Sequence, residues 1–306
     1  MNDMIEHLID TNVKEDLRIT AAARNAARFF LTERGFLEID TPILMPRTGE
    51  PYNATFDIML EDREAMLAES PQLFKMLLCM AGCEKYFQFA HCFRVTTTNE
   101  NKLHTRLSEF VQLDIEVQNT CLDGLIGLAE TLISEICKAL SKTVSFTRMD
   151  GLSCRAEYGD EMAPDLRKAQ DNGEISVVTV KNMPLTNDGK TPCHHIFALP
   201  SEPDFRLNAA KPLTELTTDS FDIIMNGIEI GGGDMRIPDR ELQLKMMRIF
   251  NVDKSRYKNY LEILEERGNN NGGFAVGLER LIMALTGAEN VRDVTAFPEY
   301  YKRGVN

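Results

Sequence analysis

Several groups of residues in this 306-residue chain carry side chains that could do chemistry. Arg94 closes an alternating segment at the mouth of a loop, and Arg280 stands where a glycine-rich segment runs into a helix. A guanidinium in either place offers planar, permanently charged, bidentate donors of the kind that grip phosphate. Asp222 and Glu229 lie seven apart within "FDIIMNGIEIGGG", among apolar neighbours. Two such acids could hold Mg²⁺, which takes one or two protein carboxylates and fills the rest of its shell with phosphate oxygens and water. Gln72 and Lys75, in "ESPQLFK", are three apart and share one face of a helix. His194 and His195, in "CHHIF", could be a ligand pair, but neighbours in a strand point to opposite faces. Taken singly, each has an ordinary structural reading: a capping or surface-paired arginine, a solvated helix face, a weak glycine signal.

The elements that must position these residues follow from periodicity. Residues 12–34 read as a helix stopped at Gly35, and "FLEIDTPIL" is extended because Pro42 forbids a helix. "PQLFKMLLCMAG" opens on proline and closes on glycine, the asymmetry of a helix. "YFQFAHCFRV" and "FVQLDIEVQ" both alternate and read as half-buried strands paired antiparallel around residues 95–109, with an apolar face opposite one carrying Arg94 and the acids. Helices follow at about 122–142 and 239–250, and residues 150–215 read as loops with short strands such as "ISVVTV". "SFDIIMNGIEIGGGDMRI" reads as two strands, and "NGGFAVGLERLIMALTG" as a strand leading into a helix. The fold class is therefore α+β, one domain over 1–306 with a largely antiparallel sheet.

Bulk composition narrows the class. The chain is 43% hydrophobic and 26% charged, as expected of a globular protein, and no run of about 18 apolar residues or secretory leader is present. A cytoplasmic protein with no membrane partner is the simplest reading. A net charge of −13 argues against broad electrostatic attraction to nucleic acid. The seven cysteines form no CxxC pair and read as reduced thiols rather than disulfides or a zinc site.

Taken together and in order, these segments resemble the catalytic core of the class II aminoacyl-tRNA synthetases, in the aspartyl branch. The matching stretches are "GFLEIDTPIL", "LAESPQLFKMLL", "CFRV…RLSEFVQLDIEV", "YGDEMAPDLR", "HHIF", "FDIIMNGIEIGGGDMRI" and "GGFAVGLERLIMALTG…VRDVTAFP". The resemblance implies an antiparallel sheet flanked by helices that binds ATP. It implies that Arg94 grips the α-phosphate, that Arg280 and Arg106 contact the γ-phosphate, and that Phe110 lies under adenine. By the same resemblance Asp222 and Glu229 hold Mg²⁺, Lys75 and Arg236 clasp the side-chain carboxylate of aspartate, and His195 faces the substrate. Gln72 would contact the α-amino group, Glu161 or its neighbour Asp160 would hold it, and Glu50 would belong to a loop that closes over the site. The implied reaction is attack of an amino-acid carboxylate on the α-phosphorus, giving an aminoacyl-adenylate and pyrophosphate; it needs positioning and charge stabilisation more than a nucleophilic side chain.

The chain also departs from that pattern. An anticodon-binding barrel of roughly 100 residues is not expected here, because the first motif begins almost at once, and no large insertion domain is expected either. Thr96 stands where the family's motif has a glutamate, and Asp234 where "GGGS" has serine. Three readings follow: a stand-alone aspartate–tRNA ligase core reaching only the tRNA acceptor end, a tRNA-independent enzyme passing the aspartyl group to ammonia or another amine, or a non-catalytic regulatory paralogue. The resemblance further implies a homodimer through the first motif, around Pro42.

Overall fold

The computed structural model describes residues 2–46, 55–61, 63–95, 104–159, 174–201 and 211–298. Two N-terminal helices, α1 (Asn2–Ile9) and α2 (Thr11–Glu33), precede a short strand β1 (Leu37–Glu38). Asp10 caps α2 by accepting the Asn12 N–H, and Gly35 turns the chain out at φ +73°, where a side chain is disfavoured. A three-stranded antiparallel sheet, β2 (Leu44–Pro46), β4 (Arg63–Leu67) and β3 (Asp57–Leu60) in that spatial order, and helix α3 (Gln72–Met80) come next.

The large sheet is built from β1 and seven further strands. These are β5 (Lys85–Phe93), β6 (Glu109–Gln118), β7 (Val144–Asp150), β8 (Ile175–Lys181), β9 (Ser220–Met225), β10 (Ile228–Met235) and β11 (Asn271–Gly277). Their spatial order is β1-β5-β6-β11-β10-β9-β8-β7. The six central strands pair antiparallel, while the edge pairs β1–β5 and β7–β8 are parallel. The remaining helices are α4 (Leu122–Ala139), α5 (Gly151–Tyr158), α6 (Arg240–Ile249), α7 (Lys258–Arg267) and α8 (Leu278–Thr286). The α+β architecture read from the sequence is thus observed. The sequence reading missed α1, the small sheet and α5, each short enough that pattern alone is ambiguous.

One face of the large sheet is apolar. Phe87, Leu113, Ile115, Ile223, Phe274 and Val276 are buried there in the main core, with α2, α4 and α8 contributing Phe30, Leu132 and Leu281 to the same cluster. The opposite face is the polar one, and here the half-buried reading is corrected: Gln88, Asp114 and Glu116 are buried as completely as the apolar side. The reason is that α3 packs on β6, and a second core formed by α3, α6, α7 and the Ile196–Phe197 segment closes that side.

Candidate active site

Strand register decides which side chains share the polar face. Asp114 pairs with Gln88 and Ala275, Glu116 with Tyr86 and Gly273, and Asp234 with Gly273 and Ser220. Period-two alternation then places Phe110, Gln112, Asp114 and Glu116 of β6 on one face with Gly232 and Asp234 of β10 and Asp222 of β9. Glu229 reaches that face through a register shift between Glu229 and Gly231, so that it pairs with Ile224 while Gly232 pairs with Asp222. Without the bulge, three positions along a strand would put Glu229 and Gly232 on opposite sides.

Two glycines make room on this floor. A Cβ on Gly273 would lie 2.1 Å from Glu116 Oε1, and one on Gly232 would lie 2.5 Å from Asp222 Oδ1. Both carboxylates therefore lie flat across their neighbouring strand, which is possible only because those positions carry no side chain.

Above the floor is a cavity of about 410 Å³. Ten of the twelve side chains singled out in the sequence line it. Gln72, Lys75, His195 and Arg236 form one group, Arg94, Arg106, Phe110 and Arg280 a second, and Asp222 and Glu229 stand between them. Glu50 and Glu161 lie outside the described residues, as do Asp160 and Thr96.

The arginine group is a concentration of like charge. Arg94 donates its Nε–H to the Glu69 carbonyl at 3.3 Å and holds its guanidinium 5.3 Å from the centroid of the Phe110 ring. Arg280 donates to the carbonyls of Thr105 and Glu229, each at 3.0 Å. Burial first, then repulsion from Arg280 and Arg94, lowers the pKa of Arg106. Such a trio favours a polyanion between its members. Glu279, next to Arg280, accepts the Val111 N–H with both oxygens at 3.1 Å and so ties α8 to the strand that carries Phe110.

The second group is a buried ionic cluster. Lys75, 2% exposed, places Nζ 2.7 Å from Asp114 Oδ1 and 3.2 Å from Glu116 Oε1. Arg236 donates one guanidinium nitrogen to Glu116 and another to Asp234, and Asn271 donates to the second Glu116 oxygen. Burial opposes ionisation throughout. Even so, Arg236 and Lys75 hold the Glu116 carboxyl below its ordinary value, and Arg236 and His195 hold Asp234 well below. The Lys75 ammonium is pulled down by burial, but Asp114 and Glu116 outweigh it and its pKa is raised.

His194 and His195 correct a second expectation. They sit in a turn, not a strand, and both reach the cluster: His195 Nε2 is 3.1 Å from Asp234 Oδ2, and His194 Nε2 is 3.0 Å from Asp222 Oδ1. A bridge between Ala198 and Arg236 ties the turn to the end of β10, and Gln243 donates to the Ile196 carbonyl at 2.9 Å. Against burial, Asp222 and Asp234 push the His194 ring up to about 10. Asp114 and Glu116 were given no site role from the sequence; His194 entered only as half of a possible ligand pair, and Asp234 only as a departure from the serine of "GGGS". The acids of "QLDIEVQ" were visible as the polar half of an alternating strand, but their burial was not.

Asp222 and Glu229 fit a divalent cation in donor type. Burial in the cleft, then repulsion from Asp222, raises the Glu229 carboxyl, a repulsion that a cation held between the two acids would offset. Among the described residues no set of three or more His, Cys, Asp or Glu could hold a metal, so phosphate oxygens and water would supply the other ligands.

An arginine trio suited to a polyanion, two acids beside it and a buried ionic pocket thus share one antiparallel floor. The profile described as "tRNA synthetases class II (D, K and N)" matches residues 2–301. The chain belongs to that family, and is accordingly a ligase of the kind that forms aminoacyl-adenylates. It is 26% identical to an aspartate–tRNA(Asp/Asn) ligase of Helicobacter pylori, over 95% of this chain and 73% of that protein. It is 28% identical to a cytoplasmic aspartate–tRNA ligase of Arabidopsis thaliana, over 94% of this chain and 57% of that one. In fold it resembles the asparaginyl-tRNA synthetase of Pyrococcus horikoshii solved with asparaginyl-adenylate, with TM-score 0.79 and 20% identity over 96% of this chain and 70% of that one. No helix among the described residues is long and apolar enough to cross a membrane.

Proposed function

We propose that this protein activates aspartate with ATP, forming aspartyl-adenylate and releasing pyrophosphate. The observation that carries the reading is the buried Lys75–Arg236 pair, two cations within one cavity with the Arg94, Arg106 and Arg280 trio. The trio binds the triphosphate and stabilises the charge that builds on it as the Pα–O bond breaks; Phe110 offers its ring to adenine. Lys75, Arg236, Gln72 and His195 orient aspartate so that one carboxylate meets the α-phosphorus in line. Asp222 and Glu229 would hold Mg²⁺, which supplies charge neutralisation along the phosphates when bound. Glu50 and one of Asp160 or Glu161, all outside the described residues, would add the further substrate contacts that the family resemblance implies.

The acceptor of the aspartyl group divides the remaining readings. Asp234, an acid in the pocket where the family's motif has serine, favours a nitrogen nucleophile, ammonia or another amine, over the acceptor end of a tRNA. A regulatory role without catalysis gives no reason to gather five cations and five acids around one cavity, with Lys75, Arg236, Asp114 and Asp234 among them buried. Two copies would pair through the first motif, where Phe29 is 68% and Leu37 58% exposed, and would work in the cytoplasm. The test is aspartate-dependent ATP–pyrophosphate exchange, followed by product analysis with tRNA, ammonia or neither. Exchange with asparagine but not aspartate would refute the substrate assignment, and no exchange with either would refute the activity.

A further inference from the structure

The end of the cavity that holds Lys75 and Arg236 is not a simple receptor for a carboxylate. Three acids face those two cations there: Asp114, Glu116 and Asp234, each no more than 1% exposed. Lys75 is engaged by Asp114 and Glu116, and Arg236 by Glu116 and Asp234. With three buried acids against two cations the cluster holds no excess of positive charge, so a ligand bearing only a negative charge finds none to meet it.

Its unsatisfied atoms are of both kinds. Gln72 Nε2 and Arg236 Nε are donors without a hydrogen-bond partner, and Asp114 Oδ2 is an acceptor without one. All three residues line the cavity and are more than nine-tenths buried. Asp234, partnered by Arg236 and His195, adds a second acid on the same wall. A group that presents an anion to Arg236 and a cation to Asp114 and Asp234 at once is an α-amino-acid head group, with its carboxylate and ammonium on one carbon.

We propose that aspartate binds with this head group in the Lys75–Arg236–Asp234 end, so that its β-carboxylate is the one presented to ATP. The proposal rests on the reading that the protein activates aspartate. A β-carboxylate oxygen attacks the α-phosphorus, the bond to the bridging oxygen breaks, and pyrophosphate leaves. Ammonia then attacks the β-carbonyl carbon with its lone pair, the carbon–oxygen bond to AMP breaks with its electron pair going to AMP, and the extra proton on nitrogen passes to solvent. The products are asparagine and AMP. Asp234 is thus a specificity-determining residue, which chooses the carboxylate to be activated.

The experiment is to run the full-length protein with ATP, Mg²⁺, aspartate and hydroxylamine, and to separate the trapped α- and β-aspartyl hydroxamates against authentic standards by chromatography and mass spectrometry. The β-hydroxamate is expected. The α-hydroxamate as main product would overturn the orientation and leave aspartate activation standing, whereas neither hydroxamate together with no pyrophosphate exchange would overturn both. In Asp234→Ser, the KM for aspartate should rise at least about 10-fold with the KM for ATP little changed, because the ammonium loses a buried charged partner. The α share of trapped product should rise as well. An unchanged aspartate KM and an unchanged product ratio would remove Asp234 from the proposal.

Discussion

Glu116 is the member of the buried cluster whose loss has the most calculable consequence. Its carboxylate has no solvent exposure, accepts hydrogen bonds from Arg236 and Asn271, and lies 3.2 Å from Lys75 Nζ. Glu116→Gln keeps the shape but removes the charge, and turns an NH₂ toward Asn271 or toward two cations that are themselves donors. Removing one partner of a buried ion pair costs about 3–5 kcal/mol. In a chain of this size each kcal/mol moves the thermal midpoint by about 2–4 °C, so a fall of roughly 10 °C is expected at pH 7. The sign with pH follows from the lowered carboxyl: its stabilisation is fully present above its ordinary value near 4.5 and is lost as pH falls through the lower folded value. The gap between the two proteins should accordingly narrow below about pH 4.5. Thermal unfolding followed by circular dichroism at pH 7 and pH 4 measures both effects. A midpoint for Glu116→Gln within about 2 °C of the unsubstituted protein at pH 7 would refute the claim that this network holds the floor together.

Further expectations are independent of one another. Gly273→Ala should lower aspartate-dependent exchange by at least about 100-fold, since a Cβ 2.1 Å from Glu116 Oε1 and 2.5 Å from the Ile115 carbonyl must displace a catalytic-site floor that has no slack; activity near the unsubstituted level would contradict the close approach. Glu279 has its carboxyl pushed up to about 7, chiefly by burial, so its contribution to stability is complete at low pH and is lost as pH rises through 7. Glu279→Gln should remove that component from the midpoint-versus-pH curve between about pH 5 and 8, and an unaltered curve would count against it. Under the proposed pairing through the first motif, Phe29→Glu places a charge on a large exposed apolar side chain of α2 and should shift sedimentation toward the monomer while leaving the fold intact by circular dichroism; an unchanged sedimentation coefficient would refute that pairing.

The element types came from local pattern. Pro71 before α3, Gly35 after α2 and the alternation of "FVQLDIEVQ" are consequences of backbone sterics and period, which act within a few residues, and so is the antiparallel pairing around residues 95–109. Of the ten residues that line the cavity, Arg94, Arg280, Asp222, Glu229, Gln72 and Lys75 stood out by residue type and place and His195 as half of a possible ligand pair, whereas Arg106, Phe110 and Arg236 came only from the family resemblance. Burial was not legible. Gln72 and Lys75 looked like a solvated helix face until α3 packed onto β6, and Asp114 and Glu116 looked like the wet side of a strand. His194 and His195 were assigned to opposite faces because a strand would demand it, whereas a turn held by Ala198 and Gln243 brings both to one cluster. Whether a charge is paired or exposed depends on which distant segments meet around it. That meeting is fixed by register, by one bulge at Glu229 and by two bare glycines, none of which is a property of the local sequence alone.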